Sequence, residues 1–148
     1  NQFVRLNKTG AVLGGVEGVH AMTDITGFGI LGHLIEMTGG SGVSAQIQID
    51  KLPVLEGVKE GIANKFIPGG TTRNWNSYGQ HVAFGETINE TDARALLADP
   101  QTNGGLLISV DPGALLEVQN ILRNAGLQDY INPVGQITNA SDKLVFVN

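Results

Sequence analysis

The placement of glycine constrains the fold of this chain more than any other sequence feature. The 148 residues include 21 glycines, about twice the number expected from the roughly 7% usage of average proteins. Glycine adopts left-handed backbone freely and lets another segment approach closely, so each cluster predicts a tight turn or a close contact. The main clusters are Gly27/Gly29/Gly32, Gly39/Gly40/Gly42, Gly69/Gly70 and Gly104/Gly105.

Composition then excludes several classes of protein. With 41% hydrophobic and 16% charged residues, the chain is too apolar for a disordered tail, and its length suits one domain, residues 1–148. The formal net charge of -5 argues against nucleic acid or an anionic membrane as partner, since both require a cationic face. The absence of Cys excludes disulfides, thiolate metal sites and a cysteine nucleophile in this chain.

No targeting or membrane signal is visible in the sequence. No apolar run approaches the ~20 residues that span a bilayer, and no signal peptide opens the chain. A cytoplasmic location is therefore the expectation. The chain starts at Asn1 without an initiator Met, as expected for a piece of a longer protein.

Hydrophobic periodicity predicts strands that alternate with helices. This order predicts an α/β (α+β) domain with a mixed sheet and helices mainly on one face. After a short arm or helix over residues 1–14, the predicted strands are 16–23, 43–49, 104–110, 134–138 and 144–147, and the predicted helices are 28–37, 54–63, 90–98 and 113–125.

Residues 64–86 have little periodicity and are predicted to form a long loop. The segment contains Phe66, Trp75, Tyr78 and Phe84, which predict a partly buried aromatic cluster. A loop of this length inside a compact domain is usually functional or mobile.

The first candidate for chemistry is Asp24, in the run Thr23 to Gly29. Here a predicted strand ends and a glycine-interrupted turn enters a helix, which is where open α/β sheets bind ligands. A helix start favours phosphate, and a carboxylate suits Mg²⁺, which takes one or two carboxylates plus substrate phosphates. The alternative is that Asp24 only caps the helix or forms the turn.

The second candidate is the run Pro68 to Asn74. Consecutive N–H groups around its glycines can form an anion nest, and Arg73 can pair with a phosphate in bidentate fashion. The run is neither a P-loop nor a dinucleotide fingerprint. The alternative is an ordinary surface loop.

The third candidate is the run Asp99 to Leu106, in which a helix ends and the chain turns into a strand. The turn could bring backbone close to a ligand or another domain. The alternative is a turn whose glycines only relieve steric limits. His20, His33 and His81 lack metal-ligand spacing, and we interpret His33 as a packed or solvated helix residue.

Taken together, three runs give the chain a family resemblance. His20–Leu34, Pro68–Asn74 and Asp99–Leu107 resemble the signature motifs of the selenophosphate synthetase (selenide, water dikinase) family, in the same order and at similar separations. Asn103 stands where that family usually has Ser. The resemblance runs over nearly the whole chain but only the C-terminal part of the family's polypeptide.

The resemblance implies a fold, an activity and partners. The family makes selenophosphate, AMP and phosphate from ATP, selenide and water with Mg²⁺. It belongs to the aminoimidazole ribonucleotide synthetase superfamily, whose members join an N-terminal dimer-forming domain to a C-terminal α/β domain. The expected partners are therefore the missing N-terminal domain, ATP, selenide and a second subunit.

The resemblance also implies which residues act. The family's nucleophilic Cys or selenocysteine, its catalytic Lys and most of its metal-binding Asp residues lie in the N-terminal part, so no catalytic residue is expected here. One metal-binding Asp maps to Asp24, which is expected to bind Mg²⁺. We further hypothesise that Thr71, Arg73 and Asn74 line the interdomain cleft and contact phosphate. The isolated chain is expected to be inactive and to bind ATP weakly or not at all.

Two other functions stay open at this stage. The chain could be a catalytically silent binding or interaction domain, because it has no nucleophile. It could also belong to another enzyme of the same superfamily, such as a hydrogenase-maturation protein or a thiamine-phosphate kinase.

Overall fold

A computed structural model describes residues 6–148 of the chain. The predicted arm over 1–14 lies partly outside these residues, and its described part contains a short helix. The helices are α1 (Thr9–Leu13), α2 (Gly29–Ser41), α3 (Val58–Ala63), α4 (Gly69–Tyr78), α5 (Glu90–Leu97) and α6 (Leu115–Asn124). The strands are β1 (Val19–Asp24), β2 (Ser44–Ile47), β3 (Val82–Phe84), β4 (Leu106–Val110), β5 (Gly135–Thr138) and β6 (Val145–Val147).

The strands form two separate sheets. One has four strands in the order β3-β6-β2-β5, in which β2 runs antiparallel to β5 and parallel to β6, and β3 runs parallel to β6. The other pairs β1 with β4 antiparallel. The predicted mixed α/β class is confirmed, and the strands that were expected to share one sheet divide between two.

Two hydrophobic clusters accompany the two sheets. The large core packs α2, α4 and α5 against the four-stranded sheet; its largest fully buried side chains are Leu31, Ile47, Leu97, Val145 and Val147. The small core lies between the β1–β4 ribbon and helices α1 and α6, and its buried side chains are Leu13, Val16 and Val118. Residues 25–28 connect β1 directly to α2, so the chain passes from one cluster to the other at the first signature run.

The predicted long loop over 64–86 is wrong, because it contains helix α4 and strand β3. The helix forms despite its two leading glycines, since Thr71, Asn74 and Tyr78 lie on one face and are buried. The predicted aromatic cluster is confirmed in part. The rings of Trp75 and Phe84 stack 5.6 Å apart, whereas Phe66 is 77% exposed and lies outside the cluster.

Several element boundaries also differ from the prediction. Helix α2 continues through Gly39 and Gly40 and ends at Gly42, whose left-handed backbone (φ 66°) closes it. Helix α3 starts at Val58 rather than near Pro53, after Gly57 at φ 82°. In the described part of the chain, no helix combines the length and apolar character needed to cross a bilayer.

Candidate functional site

The three signature runs are far apart in sequence but meet at one junction. We call the contacting residues 25–29, 70–74 and 98–104 the motif junction. Ile25 donates its N–H to the Gly105 carbonyl at 2.9 Å and accepts from the Gly104 N–H at 2.8 Å. The Thr26 carbonyl accepts from the Gln101 N–H at 3.1 Å. These backbone bonds tie the turn after β1 to the turn before β4.

Glycines make this close approach possible. A Cβ on Gly29, which has φ 67°, would lie 2.7 Å from the Leu97 carbonyl oxygen. A Cβ on Gly104 would lie 2.7 Å from the Ile25 side chain. Both separations are shorter than atoms tolerate, so larger residues would force the segments apart. Gly29 and Gly104 therefore serve as contact points between segments, whereas a Cβ on Gly40 or Gly42 would meet nothing within 4 Å.

Asn74 connects all three segments of the motif junction. Its side-chain amide donates to the Gly27 carbonyl at 2.8 Å and to the Ala98 carbonyl at 2.9 Å, and the residue is 8% exposed. Both amide hydrogens are thereby committed to internal partners. Asn74 thus links helix α4 to the turn before α2 and to the end of α5.

Thr71 is also directed inward. The buried residue donates its hydroxyl to Asp99 Oδ1 at 3.3 Å. Gln101 donates its side-chain amide to Asp99 Oδ2 at 2.6 Å. Burial raises the pKa of Asp99, and these two hydrogen bonds lower it only in part.

Tyr78 closes the junction from the end of α4. Its hydroxyl donates to the Phe28 carbonyl at 2.7 Å. Burial raises the pKa of Tyr78 to about 12, so the phenol remains protonated at neutral pH. The hydrogen bond holds the start of α2 against α4.

Asp24 lies just outside this junction, at the end of β1. Its backbone pairs with Leu106 of β4 and its side chain is exposed. It borders an open groove of about 440 Å³ that is also lined by Asn7, Gly10, Ala11, Met22, Thr23 and Leu106. The carboxylate is therefore accessible, while the turn behind it is fixed by the motif junction.

The groove carries oxygen donors of the kind that a divalent cation binds. Carboxylate, amide and hydroxyl oxygens are hard ligands of the kind that Mg²⁺ prefers. In residues 6–148, no group of three or more His, Asp or Glu side chains is arranged to hold a metal. A single carboxylate such as Asp24 is within the range that proteins use for Mg²⁺, which is often held by one or two carboxylates together with substrate phosphates.

Arg73 differs from its two neighbours because it is exposed. Its Nη1 lies 3.5 Å from where a Cβ on Gly69 would be, so the guanidinium folds over the first turn of α4. A helix start offers N–H groups and the positive end of the dipole. The arrangement can attract a phosphate, whereas Thr71 and Asn74 face the interior.

His33 contacts the motif junction through Thr26, a role that the sequence did not reveal. It is 8% exposed, which agrees with its interpretation as a packed helix residue. Its Nε2 accepts the Thr26 N–H at 3.1 Å, and its ring contacts Phe28 edge-on at 6.0 Å. The signal that could have revealed this contact is the spacing of seven residues from the turn to the second turn of α2.

Comparison with protein families gives one match over nearly the whole chain. Residues 3–148 match the model of the family described as AIR synthase related protein, C-terminal domain. Among solved structures, a thiamine-monophosphate kinase from Stenotrophomonas maltophilia superposes with a TM-score of 0.50 at 19% identity, covering 88% of this chain and 32% of that one. At this identity the likeness supports the α/β fold alone.

Curated relatives are much closer in sequence. The chain is 47% identical over 132 residues to a selenide, water dikinase from Bordetella bronchiseptica, which covers 89% of this chain and 37% of the relative. It is 43% identical over 143 residues to one from Haemophilus influenzae, covering 97% and 40%. These relatives confirm the resemblance drawn from the three runs, and the chain spans about 40% of their length.

Proposed function

The chain belongs to the family of AIR synthase related proteins, C-terminal domain, and from this membership we propose that it is the C-terminal domain of a selenide, water dikinase. The whole enzyme would use ATP, selenide and water, and its N-terminal domain would supply the nucleophile, the catalytic Lys and most metal ligands. A homodimer and a cytoplasmic location stay predictions. The likeness to curated relatives supports this proposal.

Asp24 carries the mechanistic part of the proposal. Its exposed carboxylate stands at the end of β1, beside an open groove and in front of a turn held by three runs. We propose that Asp24 supplies one ligand to a Mg²⁺ that the N-terminal domain shares. Bound Mg²⁺ neutralises charge on phosphate groups and holds them for transfer.

Arg73 is the second proposed contact. Of the three residues predicted to touch phosphate, Thr71 and Asn74 commit their side-chain hydrogens to Asp99, Gly27 and Ala98. We therefore propose that Arg73 alone reaches phosphate directly, at the start of α4. Thr71 and Asn74 would act by holding α4 in place.

The decisive experiment replaces Asp24 by Asn in the full-length protein. Because the side chain is exposed, the melting temperature should stay near that of the parent. The amide is a far weaker metal ligand than the carboxylate, so metal-dependent AMP formation should fall by orders of magnitude. Mn²⁺ binding, followed by electron paramagnetic resonance, should weaken in parallel.

The matched control is Glu17→Gln, which removes an exposed carboxylate just before the other end of β1. It should leave AMP formation and Mn²⁺ binding near parental values. An Asp24→Asn enzyme with ordinary turnover and ordinary Mn²⁺ binding would remove the proposed ligand role.

Arg73→Ala tests the phosphate contact separately. Loss of the proposed phosphate contact should impair turnover and raise the KM for ATP. Because the Arg73 side chain is exposed, the melting temperature should stay unchanged. Equal losses of turnover and stability would instead make Arg73 a folding residue.

A further inference from the structure

His33 and Glu36 form a pair inside helix α2 that the proposed function does not use. His33 Nδ1 lies 3.4 Å from Glu36 Oε2, one turn further along the helix. The His33 side chain is 9% exposed and that of Glu36 is 72% exposed. The imidazole therefore lies in the interior, and only its Glu36 side approaches solvent.

The hydrogen bond to Thr26 requires one tautomer of the neutral ring. A backbone N–H can only donate, so Nε2 of His33 must accept from Thr26, and the ring proton of the neutral form resides on Nδ1. In the described part of the chain, Nδ1 is buried without a hydrogen-bond partner. The nearby Glu36 carboxylate favours a proton at that position, as carboxylates behind histidines commonly do.

Thr26, whose N–H bonds to His33, lies two positions after Asp24. Thr26 also accepts the Gly29 and Gln101 N–H groups on its carbonyl, at 3.0 and 3.1 Å. Its hydroxyl lies 3.1 Å from the same Nε2. The turn is thus held by the third signature run through its carbonyl and by α2 through its N–H.

We propose that His33, kept in one tautomer by Glu36, is a positioning residue that fixes the turn behind Asp24 and so aims its carboxylate at the divalent cation. This inference rests on the proposed function. Without the bond, the Thr26 N–H would be partly buried and unpaired, a costly state that a shift of the turn would relieve. Such a shift would move the end of β1 and the groove beside it.

The test compares two substitutions in the full-length protein. In His33→Gln, the side-chain oxygen can reach the position of Nε2 and accept from Thr26. In His33→Leu, a side chain of comparable bulk fills the space without an acceptor. Glu36→Ala should have the same effects on the turn and on metal binding as His33→Leu, but smaller ones. It leaves the imidazole in place and removes only the carboxylate that favours a proton on Nδ1.

Two measurements read the result. The first is hydrogen exchange by mass spectrometry in peptides that span residues 25–28. The second is Mn²⁺ affinity, measured by electron paramagnetic resonance in the absence of turnover. His33→Leu should speed exchange in these peptides and weaken Mn²⁺ binding by about tenfold or more, as expected when a group behind a metal ligand is lost. His33→Gln should restore both.

Several outcomes overturn the inference. Parental exchange and parental Mn²⁺ affinity in His33→Leu would show that the hydrogen bond positions nothing. Equal damage in both variants, with lowered melting temperatures and faster exchange throughout α2, would make His33 a packing residue. If Asp24→Asn and His33→Leu both leave Mn²⁺ binding intact, the proposed ligand role of Asp24 falls together with this inference; if Asp24→Asn weakens binding and His33→Leu does not, only this inference falls.

Discussion

The large core and the small core are built on different scales, although residues 25–28 join them directly. The large core places three helices on a four-stranded sheet and buries Leu31, Leu97 and Val145 completely. The small core places α1 and α6 on a two-stranded ribbon and relies on Leu13, Val16 and Val118. Asp24 extends from the ribbon, yet the turn that fixes it is bonded to the helices of the large core.

The two regions have different tasks: the ribbon exposes Asp24 to a ligand, and the large core holds the turn behind it. A ligand must reach an exposed carboxylate, and the ribbon leaves Asp24 open to its groove. A buried polar network such as that of Asn74 and His33 needs a surrounding that excludes water and holds each partner. The two regions therefore contribute different parts of one site, and each part can be disturbed separately.

The largest expected effect comes from emptying the large core. Leu31→Ala removes a fully buried side chain and should lower the free energy of unfolding by about 2–5 kcal/mol, toward the upper end of that range. Leu13→Ala should lower the free energy of unfolding by less, within the same range. The small core has fewer buried side chains to lose contacts with the truncated residue. Urea denaturation of both variants measures the difference.

Hydrogen exchange on the same two variants locates the effect. Leu13→Ala should speed exchange in α1, β4 and α6 and leave β2 and β6 protected, since regions of one chain can open separately. Equal loss of protection in both sheets would show that the two cores unfold as a single unit.

A smaller effect should follow from crowding the motif junction. Gly29 and Gly42 have nearly the same positive φ, 67° and 66°, so an alanine is strained at each. A Cβ at Gly29 would lie 2.7 Å from a backbone oxygen, whereas one at Gly42 would meet nothing within 4 Å. Gly29→Ala should therefore cost about 1–3 kcal/mol more than Gly42→Ala, the range typical of overpacking.

Calorimetry of the two variants measures that difference. Similar melting temperatures for the two variants would mean that the segments at the junction can separate freely. In that case Gly29 would matter only for its φ angle, and the junction would not be the rigid support described above.

Much of this architecture was predictable because hydrophobic spacing decides it. Strand β2 alternates Ala45 and Ile47 inward, and helix α2 buries Leu31 and Leu34 on one face. Helix α6 starts after Pro112 and is followed by Gly126 at φ 70°. In these segments local pattern and tertiary contacts agree, so the predictions are confirmed within a few residues.

Helix α4 was missed because polar contacts decide it. Two glycines open it, and its buried face includes Thr71 and Asn74 beside Tyr78, a pattern that hydrophobic periodicity does not detect. Its partners lie 24 to 50 residues away in the sequence. The spacing of Thr71, Asn74 and Tyr78, at three and seven residues, was the helical signal available.

The candidate site also combines a feature set by local sequence with features set by distant contacts. The position of Asp24, at the end of a strand and before a glycine-rich turn, could be predicted from the sequence, and its role as a ligand stays a prediction. The support given by His33 and Asn74 depends on which distant backbone groups come near. Such contacts are set by the fold of both regions and have no local sequence pattern.

The smallest expected effect is a pH dependence that originates at the junction. Burial raises the pKa of Asp99 above its ordinary 3.8, so the folded chain binds this proton more tightly than the unfolded chain. The contribution of Asp99 to the free energy of unfolding should therefore decline as pH rises from about the ordinary value through the raised one, and stay level above it. Partial exposure of the residue keeps this decline small.

Asp99→Asn should remove that decline, although it also disturbs the hydrogen bond from Gln101. The informative quantity is therefore how the stability difference between parent and variant changes with pH, because the lost bond shifts that difference by an amount that varies little with pH. Urea unfolding from pH 3.5 to 7 should show the parent losing its advantage over Asp99→Asn as pH rises. Asp50→Asn, which alters an exposed carboxylate outside the junction, is the control. An advantage that grew with pH would mean that Asp99 is stabilised as a carboxylate, so that the bonds from Thr71 and Gln101 outweigh its burial.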